Sequence, residues 1–184
     1  MSGLHDLIRR TYNRWFRPDP LDELKRLGLR TGRNFQLQAG ATIDRCHCWH
    51  ISIGDDVTIA PNAYILAHDA STKMHLGYTR VGKVDIGDRV FIGAAVIVLP
   101  GVSIGSDVIV GAGSVVSQDI PDNVVAAGNP ARALGSTDDW IEEKKREMGT
   151  MPRFGEEYTL RRNISDGMKE EMNERMAERI GYVE

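Results

Sequence analysis

The sequence predicts an all-β solenoid with short helical additions at both ends. Three observations carry that expectation. A six-residue period runs from Ile86 to Pro121, in which an aliphatic residue opens every unit, Gly follows it in four of six, and a second aliphatic stands four places on in five of six, Ser114 being the exception. The period is neither 3.6 nor 2, which excludes one long helix and one long strand. Each unit also sets Gly, Asp or Asn beside a β-branched residue, the composition of a short strand closed by a tight turn. Stacked, such units pile their inward aliphatics into columns.

Length and composition set the outer bounds. The 184 residues fit one domain with appendages, and a net charge of −3 gives no electrostatic grip on nucleic acid. No apolar run reaches the length of a membrane span, and no signal-peptide pattern opens the chain. The two cysteines, Cys46 and Cys48, are too close for a natural staple, so a reducing, cytoplasmic setting is expected.

In chain order, residues 1–28 read as a helical segment. Leu4, Leu7, Ile8, Tyr12, Trp15 and Phe16 recur near helical spacing opposite Arg9, Arg10 and Arg14. This amphipathic helix is expected to pack on protein rather than in a membrane surface. Asp19-Pro20 reads as a cap and first helical position, and Gly28 as the stop. The solenoid is expected over residues 29–134. Hexads begin at Thr31, slip register around Trp49 to Ser52, and resume at Ile53. They break for an excursion at about 69–83 and restart at Ile86. Residues that leave a solenoid and return form a loop at one corner. Residues 135–184 read as a helical extension. Its first helix starts near Thr137 before Trp140, Ile141 and Met148; a second carries Ile164, Met168, Met172, Met176 and Ile180 on one face, capped by Gly181.

The hexads over Thr31 to Arg132 resemble those of left-handed parallel β-helix acyltransferases, and are most similar to the galactoside and maltose O-acetyltransferases and related sugar acetyltransferases of polysaccharide synthesis. The resemblance implies a left-handed helix of three hexads per coil. It implies a homotrimer with sites between subunits and acetyl-CoA as acyl donor. In that family the catalytic histidine stands just ahead of the excursion, and His68 matches it. An acyl thioester is already activated, so the acceptor is what needs help: it must lose a proton as it attacks, and a neutral imidazole suits that task. Asp69 is the adjacent carboxylate, but neighbouring side chains on a strand diverge, which argues against its holding the imidazole. His75 and Tyr78, in the excursion, are candidates for acceptor contact.

The family's coenzyme-contacting positions fall on Ala94, Ala112, Ser117, Gln118 and Arg132. Two depart from the pattern: Ala94 often is Ser there, and Gln118 usually is Lys. Arg132 matches and suits bidentate phosphate binding. Phe91 stands where Trp is usual. The acceptor-binding region, Gly40 to Trp49, does not match, with His47 about where the family has Asp. The acceptor is therefore expected to be a sugar or nucleotide sugar of unspecified kind.

Cys46, His47, Cys48 and His50 are metal-ligand types. On one extended strand Cys46, Cys48 and His50 would stand nearly 7 Å apart in succession, too far to close on one zinc, and no metal is expected. Four functions fit in descending order. They are sugar O-acetylation, N-acetylation of a nucleotide-linked amino sugar, a gamma-class carbonic anhydrase-like metal hydratase, and a non-catalytic scaffold. The hydratase needs three histidines at a closer spacing than His68 and His75 provide.

Overall fold

A computed structural model describes residues 20–177 and 180–184. The amphipathic stretch 3–16 and the cap at Asp19 lie outside them. The chain folds into two compact units, Met1–Thr137 and Asp138–Glu184.

In the first unit, helix α1 (Pro20–Arg26) ends before Gly28, whose φ of 109° supplies the left-handed turn. Two-residue and three-residue strands then wind three parallel sheets. The first holds β1 (Arg30–Thr31), β4 (Ile51–Ile53), β9 (Val84–Ile86) and β12 (Ser103–Ile104). The second holds β2 (Gln36–Leu37), β5 (Thr58–Ile59), β10 (Phe91–Ile92), β13 (Ile109–Val110) and β15 (Val124–Gly128), closed by antiparallel β16 (Ala131–Ser136). The third holds β3 (Thr42–Ile43), β6 (Tyr64–Ile65), β11 (Ile97–Val98) and β14 (Val115–Val116). The fold is a left-handed parallel β-helix.

Inward residues align in register, so Ile43, Ile65, Val98 and Val116 form one buried column and Ile59, Ile92, Val110 and Ala126 another. Ser114, the exception in the hexads, is fully buried yet satisfied: its Oγ donates to Gly111 O at 2.6 Å and accepts from Gly128 N at 3.0 Å. At the corner between the first and second sheets, polar side chains cap backbone groups of the neighbouring coil. Arg33 N donates to Asp55 Oδ1 at 2.7 Å, Asp55 N to Asp88 Oδ1 at 2.8 Å, Asp88 N to Ser106 Oγ at 3.0 Å and Ser106 N to Asp122 Oδ1 at 2.7 Å. The hexad glycines make room for this ladder: a Cβ on Gly87 would lie 2.7 Å from Ser106 Oγ and 2.8 Å from the backbone of Gly105.

Coil length is what places the functional residues. Register sets Phe91 against Ile109, an 18-residue coil of three hexads. Thr42 faces Tyr64, 22 residues on, and Tyr64 faces Ile97, 33 on. Both surpluses fall at the corner leading from the third sheet to the first. Four extra residues lengthen the turn between β3 and β4, and fifteen make the excursion between β6 and β9. The two irregular corners are therefore stacked.

The second unit holds α3 (Thr137–Met148), which begins at the boundary, a parallel pair β17 (Arg153–Phe154) and β18 (Tyr182–Val183), and α4 (Asp166–Arg175). Of the expected stripe, only Met168 and Met172 lie on this helix; they, Ile164 and Met176 are half-buried, Ile180 is exposed, and the helix stops at Arg175, short of Gly181. Phe154 is its buried anchor, with the Arg175 guanidinium 4.4 Å from its ring centre and Tyr158 at 5.1 Å.

Candidate active site

His68 opens β7 (His68–Asp69), which pairs antiparallel with β8 (Arg80–Val81). The excursion is thus a hairpin, tipped by a single helical turn, α2 (Lys73–Leu76). Thr72 Oγ1 donates to Tyr78 O at 2.8 Å across that tip, and Gly82 N returns to Ala67 O at 3.0 Å. His75 and Tyr78 are both exposed on it, Tyr78 at 80%. The contacts of His68 are with Asp44 and His47, not with these two.

Asp44 is the residue that sequence reasoning missed. It follows β3, one coil below, and its side chain is 2% exposed against 33% for His68. Asp44 Oδ2 accepts from His68 Nδ1 and from Ala67 N, the latter at 3.0 Å. Its Oδ1 accepts from Cys46 N at 3.0 Å and His47 N at 3.3 Å. Burial pushes this carboxyl up, but the hydrogen bond from His68, the Ala67 amide, the nearby imidazole and the Cys46 amide together hold it below the usual carboxylate range. Asp44 therefore stays ionised and fixes the ring through Nδ1, leaving Nε2 as the nitrogen free to take a proton. Asp69 turns away, as strand alternation requires: it accepts from Ser71 N at 2.9 Å and pairs with Arg80 at 3.5 Å.

His47 completes the corner. Residues 46–50 are not an extended strand; they form a turn and a 3₁₀ segment, Cys48–His50. The ligand spacing expected of a strand, which argued against a shared metal, therefore does not hold here. Cys48 points inward, its Sγ 3.6 Å from Leu24 O, whereas Cys46 is exposed, so the thiols do not converge. The bend instead brings the ring of His47 4.8 Å from His68 and 5.3 Å from Trp49. His47 Nδ1 is buried without a hydrogen-bond partner. One ligand atom from each of Asp44, His47 and His68 lies within 4.8 Å of the others, and these could hold a metal ion.

The coenzyme-side candidates occupy other places. Ala94 and Ala112 are exposed neighbours on successive coils at the corner from the second sheet to the third, with Gly113 N donating to Ala94 O at 2.8 Å. Ser117 and Gln118 follow β14, exposed, two coils above the excursion. Gln118 Oε1 accepts from Arg132 Nη1 at 3.2 Å, and that nitrogen also donates to Ala131 O at 2.9 Å. Both partners are neutral, so the Arg132 guanidinium is steadied without an opposing charge. Phe91 stands outward on β10, 46% exposed.

Residues 83–118 match the family model for the bacterial transferase hexapeptide (six repeats). The chain is similar to the galactoside O-acetyltransferase of Escherichia coli K12, 37% identical over 130 residues, which are 69% of this chain and 63% of that protein. Among solved structures, it is similar to a maltose O-acetyltransferase from Clostridium difficile 630, with a TM-score of 0.50 at 38% identity, covering 59% of each chain. It is also similar to a galactoside acetyltransferase in complex with coenzyme A, with a TM-score of 0.56 at 36% identity, covering 62% of this chain and 58% of that one. The chain spans less than two thirds of the length of each.

Proposed function

We propose that this chain, a hexapeptide-repeat protein similar across its solenoid to galactoside and maltose acetyltransferases, is an acetyl-CoA-dependent sugar O-acetyltransferase. The observation that carries the reading is the Asp44–His68 pair at the mouth of the excursion. A partly exposed imidazole locked through Nδ1 by a buried carboxylate is a general base set for an incoming hydroxyl. In the proposed step the acceptor oxygen attacks the thioester carbonyl while its proton passes to His68 Nε2. The tetrahedral adduct then expels the coenzyme thiolate, which takes up a proton, and the ester leaves. Acyl transfer is direct, without a covalent enzyme intermediate. Arg132, with Gln118 beside it, takes a phosphate of the coenzyme. Ala94 and Ala112 keep their corner narrow-walled and open for its pantetheine arm. The excursion, with His75 and Tyr78, faces the acceptor.

Two observations support a trimer. Outward positions of the first sheet are polar (Arg30, Ser52, Asp85, Ser103), whereas the later coils of the other two sheets present Phe91, Ile109 and Val125, and Tyr64, Ile97 and Val115, above Gln36, Thr58 and Thr42. Phe91 and Tyr64 are 46% and 44% exposed, and apolar patches on two faces call for protein cover. The Ala94–Ala112 corner and the His68 corner are also different edges of one coil, so a site using both draws on two chains, and closed symmetry supplies them. Among the described residues no helix is long and apolar enough to cross a membrane. A cytoplasmic setting, where acetyl-CoA is made, completes the proposal.

The test is a panel of free sugars, glycosides and nucleotide amino sugars with acetyl-CoA, read by thiol release and by the mass of the product. Ester formation on a sugar is expected. Amide formation on an amino sugar shifts the assignment to N-acetylation, and a protein that releases no thiol with any acceptor and binds no coenzyme is a scaffold.

A further inference from the structure

The corner built by the four extra residues of the first coil brings Asp44, His47 and His68 together, and the transferase chemistry uses only two of them. His47 is left with a buried Nδ1 that no protein group satisfies. A buried ring nitrogen without a partner is destabilising unless something pairs with it. Two imidazoles and a carboxylate form a donor set suited to divalent transition metals, with open positions left for water or substrate. We propose that Asp44, His47 and His68 form a Zn²⁺ site that shuts the enzyme off: a metal on His68 Nδ1, in place of the proton shared with Asp44, leaves the ring's proton on Nε2, the nitrogen that must accept one.

The geometry is close to the requirement. Zinc bonds of about 2.0–2.2 Å in a tetrahedron set ligand atoms about 3.3 Å apart. The three ligand atoms lie within 4.8 Å of one another, so closure by no more than about 1.5 Å completes the site. The mobile partner is His47. Its ring lies tilted against Trp49 at 5.3 Å and stacked on His50 at 6.3 Å and makes no hydrogen bond through Nδ1, so turning it breaks none there. Asp44 is already ionised and anchored by the amides of Ala67 and Cys46, which leaves its orientation fixed when a metal replaces the hydrogen bond to the ring. The inhibitory consequence rests on the reading of His68 as the base; the metal site itself does not.

Zn²⁺ should be titrated into the full chain, stripped with chelator, in competition with a chromophoric chelator. One ion per chain is expected. His47→Ala and His68→Ala should each weaken binding by at least about tenfold, the loss that even a supporting partner of a metal ligand can cause. Cys46→Ser should leave the affinity unchanged. In the wild type, side-chain NMR should show zinc moving the ring signals of His47 and His68 and not those of His75, a readout independent of any variant's folding. The Zn²⁺ concentration that halves turnover should rise about tenfold or more in His47→Ala. Failure to bind zinc, binding unaffected by His47→Ala, or binding lost with Cys46→Ser overturns the site. Full turnover with zinc bound, or turnover that requires zinc, overturns the inhibitory role. A chain that transfers no acyl group at all defeats the transferase reading and leaves the binding results to decide the metal site alone.

Discussion

Replacing Asp44 by Asn removes a charge and keeps a shape. All four groups that meet the Asp44 carboxylate are donors: His68 Nδ1 and Ala67 N on one oxygen, Cys46 N and His47 N on the other. An amide offers one acceptor and one donor face, so Asn sets an NH₂ against two donors whichever way it turns. With its oxygen toward His68 the tautomer survives, but the imidazolium formed during catalysis loses its counter-charge. A hydrogen bond to a charged group exceeds a neutral one by about 1–1.5 kcal/mol, which is about tenfold in kcat. With its NH₂ toward His68, Nδ1 must accept, the proton moves to Nε2, and the base is lost. The comparable substitution in the serine protease triad costs about 10⁴ in kcat. The expected fall is therefore about 10- to 10⁴-fold in kcat, with KM for acetyl-CoA little changed because Arg132 and the alanine corner are untouched. Each amide left unpaired in the buried corner costs about 1–3 kcal/mol, or roughly 2–12 °C in Tm for a chain of this length. Imidazole ¹⁵N shifts report which tautomer His68 holds and so separate positioning from simple destabilisation. A variant that keeps kcat within threefold of wild type refutes the dyad, whatever its melting temperature.

Four further outcomes are expected. His68→Ala should fold and bind coenzyme A, with kcat reduced about 10²–10⁴-fold, while His75→Ala loses much less; the reverse order would make the loop histidine the base. Coenzyme A at a hundredfold excess over Kd should stabilise the fold by about 2.7 kcal/mol, and Arg132→Ala should shrink that thermal shift, whereas a melt unmoved by millimolar coenzyme A removes the donor assignment. Gly87→Ala should destabilise by about 1–3 kcal/mol in chemical denaturation, because the backbone of Gly105 stands 2.8 Å from the new Cβ and cannot swing aside as a side chain can. The depressed Asp44 carboxyl gives stability that is full above about pH 4, the unfolded carboxylate range, and is lost as pH falls through its lower folded value. In acid titrations monitored by circular dichroism, the stability gap between wild type and Asp44→Asn should narrow below that pH, and a constant gap refutes the linkage.

The aliphatic columns are legible in the sequence because each inward position repeats along the chain, and Ile43, Ile65, Val98 and Val116 need only their own hexads to announce themselves. His68 is singled out by the resemblance, which puts a histidine just ahead of the point where the period breaks. The stretch 46–50 is not, because extended backbone is the natural expectation within a run of hexads, yet the register fails there and three residues of 3₁₀ helix take its place. The N-terminal amphipathic helix falls outside the described residues.

Asp44 is hidden for a different reason. It lies 24 residues from His68, and no local period links them. Their meeting depends on coil length, since the first coil takes 22 residues where a regular one takes 18. The slip around Trp49 to Ser52 is therefore the signal: surplus residues at a solenoid corner must project from it, and a second surplus one coil later, at the same corner, must project beside the first. Counting residues modulo the coil puts both insertions on one edge from the chain alone. A buried carboxylate at the foot of the first insertion and an imidazole at the foot of the second then become neighbours by arithmetic. Regular coils supply the columns that hold this edge in place, and the two departures from regularity supply the candidate site.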